Sequence, residues 1–196
     1  MKITTGVLML SFLLLLAACQ NKPANQKESV FAIDSILKAQ NKTLLHFKAS
    51  VSKEVLMDGK TEKINMIPRD SLAWANELLI FQQLSSINKT VNRGAYQDSV
   101  YEDAASNLTI RQLKTDKKLP LKELKIFYLN SPEKIRKVEG YVREENALYS
   151  SARILTLHFS DVYNKTLLTS YNVIGGQHMI LGDTVQFNIQ STIQVN

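Results

Sequence analysis

Residues Thr184–Gln194 read TVQFNIQSTIQ, and their alternation decides the fold. Val185, Phe187, Ile189 and Ile193 fall on one side, while Thr184, Gln186, Asn188, Gln190, Thr192 and Gln194 fall on the other. A two-residue period with an apolar and a polar side marks a strand with one packed and one wet face, the habit of antiparallel sheets. Runs of the same kind, rich in β-branched and aromatic residues, predict strands over 95–100, 108–113, 121–129, 135–143, 149–159 and 166–174. Short turns such as Asn130-Ser131-Pro132 and residues 161–164 join them, so the second half of the chain reads as an antiparallel meander.

The front half has a different period. Val30, Ile33, Leu37, Leu44 and Phe47 make one stripe of a helix over 29–48, interrupted by Gln40. Alternation over 51–57, an Asp58-Gly59 turn and a return over 61–66 predict a hairpin, with a longer first helix as the competing reading. After Pro68, Asp70 or Ser71 caps a second helix that carries Leu72, Trp74, Ala75, Leu78, Leu79, Phe81 and Leu84 and ends near Ser86. The predicted class is α+β: two N-terminal helices and a short hairpin packed on one face of a curved antiparallel sheet.

Charge is unevenly spread. Arg111, Lys114, Lys117, Lys118, Lys122, Lys125, Lys134, Arg136 and Lys137 form a basic band of nine bases against three acids. That surplus of six equals the formal net charge of the whole chain, +6, so the rest is neutral. A field of this kind favours anionic lipid, lipopolysaccharide or an acidic envelope protein over nucleic acid, and lysine on edge strands also resists aggregation.

Chemistry-bearing motifs are sparse. There is no G-x-S-x-G elbow, no phosphate loop and no H-E-x-x-H, and the three histidines, His46, His158 and His178, have no metal-ligand spacing. His158 with Asp161 could meet in a turn, and Gly175, Gly176 and His178 read as a turn with Asp183 nearby. No catalytic residue, metal or cofactor is assigned, and the chain is expected not to be an enzyme. Ser35, Ser99 and Thr184, with the capping Ser71, follow an aspartate and precede an apolar residue. That pattern resembles the O-glycosylation site of exported Bacteroidetes-type proteins.

The amino-terminal end sets the compartment. Lys2, an apolar run from Val7 to Leu16 and two small residues before Cys19 read as a secretory leader, and the run is too short to span a bilayer. Leu16-Ala17-Ala18-Cys19 resembles the lipobox of bacterial lipoproteins, which implies acylation of Cys19 and removal of residues 1–18. Two or three acyl chains would anchor the protein stably. Gln20 after the cysteine implies sorting to the outer membrane, on its periplasmic side.

Cys19 is the only cysteine, so no disulfide framework supports the 178 residues that follow the leader. Residues 19–28 read as a flexible polar tether and 29–196 as a single domain. The layout of helix, DGKTEK hairpin, FQQLSSINK helix end and strand-rich remainder resembles uncharacterised envelope lipoproteins common in Bacteroidetes-type bacteria. That resemblance implies the architecture and no activity. Three functions are expected to compete: a non-enzymatic binding protein using its sheet or basic band, a periplasmic carrier of a hydrophobic ligand held between sheet and helices, and a hydrolase.

Overall fold

Every stretch with the two-residue period forms a strand. The structure is a computed structural model and describes residues 30–195. Its strands are β1 (Ser50–Met57), β2 (Lys60–Met66), β3 (Gln97–Glu102), β4 (Thr109–Lys114), β5 (Leu121–Tyr128), β6 (Ile135–Glu145), β7 (Tyr149–Val162), β8 (Lys165–Met179) and β9 (Thr184–Gln194). They make one antiparallel sheet in the order β2-β1-β9-β8-β7-β6-β5-β4-β3. From β3 to β9 each strand pairs with its chain neighbour, which is the expected meander.

The hairpin sits differently from expectation. β1 pairs with β9 in unbroken register from Ser50 opposite Gln194 to Met57 opposite Phe187. The β1–β2 hairpin therefore extends the sheet edge instead of packing on its face. The physical reason is that β9 would otherwise leave a row of backbone donors and acceptors unpaired, and the alternating β1 fits it face for face.

Helix α1 (Ile33–His46) buries Ile33, Leu37 and Leu44 from the expected stripe, together with Asn41. Gln40 ties this helix to the sheet. Beyond the last β8–β9 pair, Ser170 opposite Thr192, the β8 edge is open. There the Gln40 amide accepts from the Leu168 N–H at 2.8 Å and donates to the Thr166 carbonyl at 3.0 Å, standing in for a strand. Asn41 similarly donates to the Ser71 carbonyl at 2.8 Å.

Asp70 caps helix α2 (Ser71–Glu77), its carboxylate accepting from the Ala73 N–H at 2.7 Å. The α-helix stops at Glu77, short of the expected Ser86, and the chain continues as a 3-10 helix over Leu79–Asn88. Leu78, Phe81, Leu84 and Ile87 are all buried, and their strict spacing of three keeps one face inward only when there are three residues per turn. Leu79, expected in the core, breaks that spacing and is exposed, as is Leu72 in the first turn of α2; Trp74 is fully buried.

These segments cover the sheet face that carries Val138, Leu155, Leu157, Tyr171 and Val173. Phe81 meets Tyr171 edge-on at 5.5 Å between ring centres. Leu84 lies where Gly140 has no side chain: a Cβ there would fall 2.2 Å from Leu84 Cδ2. Between the layers Glu77, with only 7% of its side chain exposed, takes Lys53 Nζ on both carboxylate oxygens at 2.7 and 2.9 Å. It also accepts a hydrogen bond from the Tyr171 hydroxyl.

Candidate functional site

Pleating sends alternate side chains to the face away from the helices. Across β1, β9, β8 and β7 the cross-strand partners there are Ser52 with Thr192 and Ser170, then Glu54 with Gln190, Asn172 and Thr156. The outcome is a hollow of about 420 Å³ floored by hydroxyl and amide groups, with Lys63 and His158 at its sides. The Asn172 Oδ1 and Asn188 Oδ1 atoms are buried acceptors without a protein donor. Such a surface can hold a polar partner through many hydrogen bonds.

Two residues further toward the β8–β9 turn the same face becomes apolar. Leu56 lies opposite Asn188, Asn188 opposite Ile174, and Ile174 opposite Ile154. All three apolar side chains are exposed, and Leu56 and Ile174, with Gly59 and Thr184 nearby, border a second hollow of about 430 Å³.

His158 is held below its ordinary pKa, first by burial and then by Lys137, with Glu139 opposing. It does not meet Asp161. That carboxylate instead binds both Arg136 guanidinium nitrogens at 3.0 and 2.5 Å and the Thr166 hydroxyl at 2.9 Å, and these bonds hold its pKa low. Gly175, Gly176 and His178 lie within β8 and not in a turn. Gly175 serves close approach: a Cβ there would fall 2.5 Å from the Ala152 carbonyl oxygen. His178 Nδ1 lies 3.0 Å from Thr184 Oγ1. His46 packs edge-on against Phe47, their centres 5.5 Å apart.

Folding divides the basic band. Arg111 pairs with Asp98 at 2.7 Å, Lys125 with Glu123 at 3.5 Å, Arg136 with Asp161 at 2.5 Å and Lys137 with Glu139 at 3.4 Å. Asp98, Asp161 and Glu139 come from outside the band, so local counting of charge overstates it. Lys137 also rests over the Phe127 ring at 3.7 Å. Lys114, Lys117, Lys118 and Lys122 gather at the β4–β5 turn. Lys134 lies at the other end of β5, whose eight residues put it about 25 Å away.

Ser35 on α1 and Ser99 on β3 are exposed, as is Thr184 at the start of β9. Cys19, the leader and the tether lie outside the described residues. Among the described residues no group of three His, Cys, Asp or Glu side chains is placed to hold a metal ion, and no helix is long and apolar enough to cross a membrane. No protein-family model, curated protein or solved structure matches this chain.

Proposed function

We propose that this is a lipid-anchored protein of the bacterial envelope, held through acyl chains on Cys19, which binds another envelope component without catalysing a reaction. In this reading two N-terminal helices back a curved sheet, and the face they leave uncovered meets the partner. The observation that carries the binding role is that face: rows of Ser, Thr, Asn and Gln side chains flooring a hollow of about 420 Å³, with the buried amide acceptor of Asn172 still unmatched. Partners that fit it are rich in hydroxyl and N–H donors, as the sugar headgroup of lipopolysaccharide is.

The carrier reading is supported less well. Trp74, Phe81, Leu84, Leu155 and Leu157 are fully buried and occupy the space between helices and sheet where an acyl chain would lie. Fractionation tests the anchor. The Cys19→Ser chain is expected to remain as an uncleaved precursor lost from the outer membrane fraction. Normal maturation and unchanged partition of this variant would refute the anchored reading.

A further inference from the structure

We propose that the end of the sheet formed by the β6–β7, β8–β9 and β4–β5 turns is a second contact surface, which docks on an anionic lipid bilayer. The β8–β9 turn is closed by the Gly182 N–H donating to the Met179 carbonyl at 3.3 Å, which leaves Ile180 and Leu181 as its two central residues. Turn chemistry asks for Gly, Asn, Asp or Ser there and gives no reason for large apolar side chains. Leu181 is 100% exposed, Ile180 60%, and Leu148 on the β6–β7 turn 71%. The two turns are tied together by the Ile180 N–H donating to the Leu148 carbonyl at 3.1 Å, so the three side chains share one tip. Exposed Met179, the last residue of β8, adjoins it.

The charge at this end matches an anionic leaflet. Glu144 and Glu145 are taken by Arg153 and Arg143 at 3.0 and 3.2 Å, and Asp58 accepts from the Gln186 N–H. That leaves the charges of Asp58, Asp116 and Asp183 against Lys114, Lys117, Lys118 and Lys122, none of whose ammonium groups pairs with a carboxylate among the described residues. Lys122 Nζ instead donates to the Lys117 carbonyl at 2.7 Å. Apolar side chains on a protruding tip with lysines alongside suit insertion at the headgroup boundary, where the chains leave water and the lysines meet phosphates. A neutral protein groove could take the tip but would gain nothing from the lysines, whereas an anionic bilayer offers an apolar depth and a sheet of phosphates together, so the bilayer is the occupant that fits both features.

The proposal rests on neither the acyl anchor nor the uncovered face, and its test removes the anchor. In the full chain carrying Cys19→Ser, an environment-sensitive dye is attached at Leu181→Cys or, at the opposite end of the sheet, at Ser131→Cys. Each protein is mixed with phosphatidylglycerol-containing vesicles that bear a nitroxide on the acyl chain. The dye at 181 is expected to shift to the blue and to be quenched several-fold more than the dye at 131. Added salt, or Lys117, Lys118 and Lys122 all changed to Gln, should remove most of that difference. Equal quenching at the two positions, or equal quenching at 181 in vesicles of neutral lipid alone, would overturn the proposal. So would a blue shift at 181 without vesicles together with a doubled mass, which would assign the tip to a second copy of the chain. A sugar on Thr184 of host-purified protein would also overturn it, by holding the tip away from the membrane.

Discussion

Glu77→Ala is expected to cost about 3 kcal/mol of folding stability, the lower end of the range for breaking a buried ion pair. The carboxylate is 7% exposed and binds Lys53 bidentately while accepting from the Tyr171 hydroxyl. Alanine would strand both donors between helix α2 and the sheet, although Lys53, with 19% of its side chain exposed, keeps partial access to water. In a domain of this size the change lowers Tm by roughly 6 to 12 °C. Changing both charged partners, Lys53→Met with Glu77→Leu, should recover most of the loss, because an apolar pair avoids the desolvation that the ions incur. Thermal unfolding of the single and double variants decides it. A Glu77→Ala protein as stable as the parent, or a double variant worse than the single, would show that the network does not hold the layers together.

The second large effect concerns the close approach at Gly140. Its added Cβ would overlap Leu84 Cδ2 at 2.2 Å, and Leu84, being fully buried, can give way only by repacking its neighbours. Gly140→Ala is therefore expected to destabilise by about 1 to 3 kcal/mol, despite the gain from replacing a glycine within a strand. Leu84→Ala alone should cost about 2 to 5 kcal/mol through the cavity that it leaves. The two combined should cost clearly less than the sum, since each removes the clash or fills the void made by the other. Denaturant unfolding of the three variants gives the coupling. Strict additivity would mean that the 3-10 segment does not rest on β6 at this point.

Local patterns carried much of this structure. The strands of the second half announce themselves by alternation because each has one face on the core and one in water. The break in the second helix was missed, although its mark is in the sequence: Leu78, Phe81, Leu84 and Ile87 repeat every three residues, a period that an α-helix smears around its axis. Pairing over long range was not legible. Nothing local says that β1 completes the β9 edge, since the register is set between residues at least 130 positions apart. For the same reason the Lys53–Glu77–Tyr171 network escaped notice, its members separated by 24 and 94 positions. The basic band was overcounted because Asp98 and Asp161 reach it across strands and Glu139 lies on β6 two residues beyond Lys137. The uncovered polar face was foreshadowed by Gln186, Asn188, Gln190 and Thr192, whereas the hollow needs Ser52, Ser170 and Asn172 brought beside them. The apolar tip was missed because Leu148 and Leu181 stand alone in sequence and meet only when their turns are side by side.

Site-specific photocrosslinking in the native envelope tests the binding role most directly. A photoreactive residue placed at Asn172 or Thr192 reports on the uncovered face, and one at Lys42, exposed on helix α1, reports on the opposite side of the molecule. The expected result is a discrete heavier adduct from positions 172 and 192 and none from 42. No adduct from the uncovered face, or adducts of equal yield from both sides, would contradict the account.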